Sequence, residues 1–201
     1  MKSKFFYGAT GSGKSLSMVK SGVIDWILGR AIYSNMKHIK NIPYRYIDLE
    51  DLILMVQNEE LDVNDKRPKS LLLDEIHTMF DGRRSQSREN IDFSQFISQC
   101  RKRRFNVYYT SQWISGADIR IRTLTSELIR CIAHIDSNDY GLGDASTPEP
   151  IRIETRSIKI EDLQSGIQRV KTRYLPRWRM RPFYQFYDTY EVIRPVESYT
   201  V

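Results

Sequence analysis

Gly8-Ala9-Thr10-Gly11-Ser12-Gly13-Lys14-Ser15 follows the apolar run Phe5-Phe6-Tyr7 and precedes the helix-forming stretch Leu16-Ser17-Met18-Val19-Lys20. The fixed positions of the pattern GxxxxGK[ST] are all met, in the strand-to-helix setting the pattern needs. Glycines let the backbone turn with its N–H groups pointing inward at an anion, and a helix that starts there adds the positive end of its dipole. The stretch therefore predicts a phosphate-binding loop made of Gly8, Ala9, Thr10, Gly11, Ser12, Gly13, Lys14, Ser15 and Leu16. In that loop Lys14 reaches the β- and γ-phosphates of a nucleotide and the Ser15 hydroxyl is a ligand for Mg²⁺. ATP and Mg²⁺ are the expected cofactors, and the fold class is α/β.

Outward from the loop, a first strand is expected over Lys4–Tyr7 and a helix from the loop to Leu28, closed by Gly29. Ala31–Ser34 reads as a second strand, and Leu49–Gln57 as a helix with Asp48 as its N-cap. After a polar turn at Lys66–Lys69 comes Ser70-Leu71-Leu72-Leu73-Asp74-Glu75, a continuous apolar run ending in two carboxylates, as a fully buried parallel strand should look. Asp81–Asn90 is a Gly- and Arg-containing loop. Asp92–Arg101 is a helix burying Phe93, Phe96 and Ile97, Phe105–Thr110 a strand, Ile119–Thr125 a helix and Leu128–Ile135 a strand. Such alternation predicts a mainly parallel sheet with helices on both faces and ligands at the carboxyl ends of its strands. Past the polar turn region Asp136–Pro150, Ile151–Ile160 and Gln168–Tyr174 alternate like an antiparallel hairpin added at one edge. The aromatics from Phe183 to Tyr187 are expected to pack against the domain. The chain is expected to be one domain, with a core over residues 1–136 and an added β-hairpin and tail over 150–201.

Composition agrees with this class. The 201 residues are 40% hydrophobic and 28% charged, the balance of a globular chain. No run approaches the roughly 18 apolar residues of a membrane span, so the protein is expected in the host cytoplasm, peripheral to a membrane or associated with a virion through partners. Cys100 and Cys131 lie outside metal-ligand spacing and are assigned no role. The net charge of +6 favours a polyanionic partner. It is concentrated in three groups: Arg83, Arg84 and Arg88; Arg101, Lys102, Arg103 and Arg104; and Arg173, Arg177, Arg179 and Arg181.

Asp74 at a strand end beside the loop can hold Mg²⁺ through its water shell, and Glu75 can polarise a water for in-line attack on the γ-phosphate. Gln112, just past a third strand, can orient that water or sense the γ-phosphate. The run from Arg101 to Arg104 complements a helix C-terminus. It also offers a guanidinium to a neighbouring subunit's nucleotide, Arg101 first, with Arg103 and Arg104 as alternatives. Arg83, Arg84 and Arg88, which follow the acidic pair, are candidates for contact with DNA.

This order of loop, Leu-Leu-Leu-Asp-Glu, basic helix end and strand ending in Gln112 resembles the FtsK/HerA superfamily of DNA-pumping ATPases. Within it, the chain is similar to the zonula occludens toxin-like (Zot-like) domain of filamentous-phage assembly proteins. Tyr33-Ser34-Asn35-Met36-Lys37 with Ile42-Pro43, Asp118 with Ile121-Arg122-Thr123-Leu124, and Tyr187-Asp188-Thr189-Tyr190 carry the likeness. The resemblance implies a RecA-like P-loop ATPase in which Asp74 and Glu75 are the Walker B pair and Gln112 the sensor, with Arg101 matching the arginine before the sensor strand. Two departures matter: Arg103 and Arg104 occupy positions where Zot-like sequences usually carry small or polar residues, which leaves the choice of finger among these arginines open, and no segment corresponds to the membrane-spanning helix or the periplasmic part of the phage proteins. A soluble motor domain resembles viral genome-packaging ATPases equally well. The expectation is an ATP-hydrolysing homo-oligomeric motor, a hexameric or pentameric ring, for DNA packaging or for virion assembly and extrusion. A nucleotide-gated scaffold for capsid or membrane proteins and a small-molecule kinase are the alternatives. Single- and double-stranded DNA are not distinguished.

Overall fold

A computed structural model describes residues 2–48, 51, 67–79, 100, 105–116, 122, 124–134 and 152–187. Strand β1 (Ser3–Tyr7) enters the loop, and helix α1 (Lys14–Ile27) leaves it. Then come β2 (Ala31–Ser34), β3 (Tyr44–Tyr46), β4 (Lys69–Leu73), the short α2 (Ile76–Met79), β5 (Asn106–Ser111) and β6 (Glu127–His134). They are followed by β7 (Arg152–Lys159), α3 (Ile160–Gln164), β8 (Lys171–Pro176) and α4 (Arg177–Tyr184). These strands form one eight-stranded sheet in the order β3-β2-β4-β5-β1-β6-β7-β8. Pairing is parallel from β3 to β6 and antiparallel from β6 through β8.

Central strands are buried on both faces, which is why they read as apolar runs rather than alternating ones. Phe5, Tyr33, Leu71, Leu73, Val107 and Tyr109 line one face, where Ile76 of α2, Cys100 and Phe105 join them. Phe6, Ile32, Leu72, Tyr108, Ile129 and Cys131 line the other, packed against Met18, Val19 and Val23 of α1. The far end of α1 is fixed by a buried carboxylate. Asp25 Oδ2 accepts hydrogen bonds from Ser70 Oγ at 2.6 Å, Asn106 Nδ2 at 2.7 Å and Tyr108 Oη at 2.9 Å. Charge-assisted bonds of this kind are among the stronger ones, so α1 is pinned to the amino ends of β4 and β5 while its start carries the loop.

Insertion of β5 between β1 and β4 matters most for the site. Register pairs Tyr7 with Ser111 and Leu73 with Tyr109, so the carboxyl ends of β1, β5 and β4 form one rim. The expected α/β architecture and the edge hairpin are both present. Several bounds shift: the first strand begins at Ser3, α1 ends at Ile27 with Leu28 as C-cap, and β8 spans Lys171–Pro176 rather than Gln168–Tyr174. Ile160 belongs to α3, not to the strand before it. The expected helices at 49–57, 92–101 and 119–125 fall wholly or largely outside the described residues. So do the loops at 81–90 and 136–150, and with them Arg83, Arg84, Arg88, Arg101, Arg103 and Arg104. Asp51 N does donate to Asp48 Oδ1 at 2.8 Å, the bond an N-cap aspartate makes. Among the described residues no helix is long and apolar enough to cross a membrane.

Candidate active site

The loop is held tightly against its surroundings. Gly13, with φ +84°, starts α1, and a Cβ there would lie 2.2 Å from Ile153 Cδ1. A Cβ on Gly8 would lie 2.4 Å from the Cys131 carbonyl oxygen and 2.8 Å from Ser12 Oγ. Both positions need a residue without a side chain. Gly8 N donates to Gln112 O at 3.2 Å, tying the first residue of the loop to the end of β5. The side chain of Leu16 is buried with Ile153 and Met180, so only its backbone is offered to a ligand.

Lys14 is 5% exposed, and its Nζ donates to Ala9 O at 3.0 Å across the loop. Ser12 Oγ is buried without a hydrogen-bond partner. A buried hydroxyl with no partner is costly, and a phosphate oxygen in the loop would satisfy it; the donor set fits a nucleotide phosphate. Ser15 Oγ donates to Asp74 Oδ1 at 2.8 Å, so a hydroxyl and a carboxylate oxygen already face each other. Mg²⁺ usually takes one or two protein oxygens and completes its shell with water and substrate phosphate. Ser15 and Asp74 are the residues that would hold it.

Thr110 at the rim joins the two carboxylate residues. Its Oγ1 donates to Asp74 Oδ1 at 2.6 Å and accepts from Glu75 N at 2.9 Å. Glu75 has φ +49°, left-handed backbone that costs a non-glycine residue about 1–2 kcal/mol. Thr78 N and Oγ1, at 2.9 and 2.8 Å from Glu75 O, help to hold it there. Backbone held in that region turns the side chain away from the path of β4, and such strain gathers at functional sites. Glu75 Oε2 is buried without a hydrogen-bond donor; His77 Nδ1, 3.2 Å away, is its nearest ionisable neighbour. Burial first, and then the Asp74 charge, raise the Glu75 carboxyl above the usual range, while Lys14 and His77 oppose the rise. His77 Nδ1 also lies 3.2 Å from Ser111 Oγ, with its ring beside exposed Trp113.

The backbone of Asp74 has a further partner, marked in the sequence only as part of the segment Tyr33-Ser34-Asn35-Met36-Lys37 and given no site role there. Asn35, just past β2, donates from Nδ2 to Asp74 O at 2.9 Å and accepts at Oδ1 from Asp74 N at 2.7 Å. Its amide thus clamps both backbone groups of the residue whose carboxylate faces Ser15. Gln112 lies just past β5, half-buried, one residue beyond the strand end that neighbours Tyr7.

No curated protein matches the chain. Among solved structures, the N-terminal domain of zonular occludens toxin from Neisseria meningitidis is similar at 19% identity, over 93% of this chain and 98% of that one, with a TM-score of 0.62. The genome packaging NTPase B204 from Sulfolobus turreted icosahedral virus 2, in complex with ATP-gammaS, is similar at 13% identity, over 85% and 96%, with a TM-score of 0.55. ATPases 2 and 3 of EssC from Geobacillus thermodenitrificans give 13% identity over 97% of this chain and 46% of that one, with a TM-score of 0.50. At these identities the likeness is one of fold, that of P-loop ATPases. The family model for Zonular occludens toxin (Zot) matches residues 3–135, well over half of the chain, and the protein belongs to that family.

Proposed function

We propose that this protein hydrolyses ATP and works as a subunit of a ring-shaped motor that moves viral DNA, in genome packaging or in virion assembly and extrusion. The observation that carries the reading is the link Ser15–Asp74–Thr110–Glu75, which joins a phosphate loop to a carboxylate pair through hydrogen bonds of 2.6 to 2.9 Å. Family membership and the fold shared with a packaging NTPase support the viral and DNA parts.

Lys14 and the N–H groups of residues 8–16 bind the nucleotide's phosphates. Ser15, and Asp74 through a water shell, would hold Mg²⁺, which would supply positive charge beside the phosphates. Glu75 takes a proton from the attacking water as its oxygen bonds to the γ-phosphorus; the bond from that phosphorus to the β–γ bridging oxygen breaks, and ADP leaves. Gln112 orients the water. A guanidinium from Arg101, or from Arg103 or Arg104, of an adjoining subunit completes compensation of the transition-state charge. Arg83, Arg84 and Arg88 contact DNA phosphates.

A carboxylate general base contributes about 10²- to 10⁴-fold, so Glu75→Gln should bind ATP as the wild type does and turn it over at least about a hundredfold more slowly. Undiminished turnover would remove Glu75 from the mechanism. For the motor itself, the specific ATPase rate should rise with protein concentration and with added DNA. A rate flat against protein, single strands and duplex would sink the translocase reading.

A further inference from the structure

Lys20 of α1 is remote in sequence from Arg173 of β8 and Arg179 of α4, and the fold brings the three to one face. Lys20 Nζ lies 5.5 Å from the centroid of the Phe183 ring, and Arg179 sits one turn before Phe183 on the same face of α4. Arg173 and Leu175 share a face of β8, being two residues apart, and Leu175 and Phe183 both pack on the cluster of Leu16, Ile153 and Met180. Burial lowers the Lys20 ammonium below the ordinary lysine range, and the charges of Arg179 and then Arg173 push it further down. Among the described residues none of the three is paired with a carboxylate.

Charge on an edge strand guards against unwanted pairing, which accounts for Arg173 on β8 but not for cations on two helices. Like charges gathered at one face oppose folding, and an anion from outside relieves them. Beside these cations Trp178 is 67% exposed, with the Arg179 guanidinium carbon 4.7 Å from its ring centroid. An exposed ring next to cations is how an unpaired base is stacked while its phosphates are held.

We infer that Lys20, Arg173 and Arg179, with Trp178 beside them, form a binding site for single-stranded nucleic acid, phosphates at the cations and a base on the indole. Lys20 is half-buried while Arg173, Trp178 and Arg179 are exposed, and the indole takes a base, which a strand offers and a lipid headgroup does not. Lys20 stands about 9 Å along α1 from Lys14, so an occupied site touches the helix that begins at the phosphate loop. This inference rests on the DNA-motor reading.

The test is fluorescence anisotropy with labelled oligothymidine and with a duplex of equal length, across a series of KCl concentrations. Vesicles of phosphatidylserine and phosphatidylcholine are run in parallel, and ATPase without DNA serves as a control for folding. Each phosphate contact on a single strand contributes about 0.7 to the salt slope. Arg173→Ala/Arg179→Ala should therefore flatten the slope by about 1.4 and weaken oligothymidine binding about tenfold or more, while Arg173→Lys/Arg179→Lys keeps the slope. Trp178→Ala should weaken oligothymidine about fivefold or more and leave the duplex within about twofold. A double alanine variant with wild-type affinity and slope, while the wild type binds DNA, overturns this site and leaves the motor reading standing. Loss of vesicle binding alone assigns the face to a membrane and also overturns it. Equal loss on strand and duplex overturns the base-stacking part, and a wild type that binds neither DNA overturns both inferences.

Discussion

Asn35 makes the sharpest demand at the scale of single residues. Two hydrogen bonds of 2.7 and 2.9 Å fix the backbone of Asp74, and a carboxylate displaced by even 1 Å can cost about a hundredfold in rate. Asn35→Ala should lower stability by about 1–3 kcal/mol for two lost bonds. It should also lower kcat by about ten- to a hundredfold and raise the Mg²⁺ concentration needed for half-maximal rate. A Mg²⁺ titration of kcat beside a melting curve separates the two effects: a wild-type Mg²⁺ profile in a folded but less stable variant would make Asn35 structural only. Lys14, Ser15, Asp74 and Glu75 stood out in the sequence because their chemical types follow apolar runs that had to be strands. Asn35 did not, since a side chain that serves a backbone rather than a ligand leaves no charge pattern. The left-handed backbone of Glu75 was equally silent, because no glycine marks it.

Among the elements, the loop and the added hairpin constrain each other at Gly13. A methyl group there would meet Ile153 Cδ1 at 2.2 Å and Cγ1 at 2.9 Å, on backbone at φ +84°. Gly13→Ala should abolish nucleotide binding and lower the Tm. Ile153→Ala in the same chain should remove the clash but not the strain of about 1–2 kcal/mol, so recovery should be partial; full recovery would show that the contact alone decides. Within the hairpin, Glu154 accepts from Arg156 Nε at 2.5 Å and lies 2.9 Å from His134 Nε2. The Arg156 bond, and then His134, hold its carboxyl below the usual range. A folded pKa below the unfolded one stabilises fully above the unfolded value and is lost as pH falls through the folded value. The Tm difference between wild type and Glu154→Gln should thus be largest near neutrality and shrink in acid; a difference constant with pH would mean that the pairing contributes nothing. The hairpin was legible because Ile151–Ile160 alternates. Strand β3 was not, as Tyr44-Arg45-Tyr46 is three residues long and half-exposed to exposed. Pro182 and three arginines within 177–184 disguised α4, whose only buried residue is Met180.

On the scale of the whole molecule, the family match ends at residue 135, yet the phosphate loop leans on the hairpin and α4 beyond that point. Leu16, Ile153 and Met180 bury one another, and the residues just past α4 reach across to the connection after β2. Lys40 N donates to Phe186 O at 3.0 Å, Asn41 Nδ2 to Gln185 O at 2.8 Å, and Ile39 bridges Tyr187. Burying each large apolar side chain is worth about 1.5–3 kcal/mol, an upper estimate because unfolded chains are themselves partly compact. Losing Ile153 and Met180 and exposing Leu16 therefore removes about 4–9 kcal/mol, against a total of about 5–15 kcal/mol for a typical domain. A chain of residues 1–150 should accordingly lose its cooperative melting transition and its nucleotide binding together. The full chain should unfold in one step, with calorimetric and van't Hoff enthalpies equal. Calorimetry and nucleotide titration on both chains check this: a shortened chain that still melts cooperatively and binds ATP would make residues 152–187 an appendage, whereas their joint loss would make the hairpin and α4 the back wall of the phosphate loop.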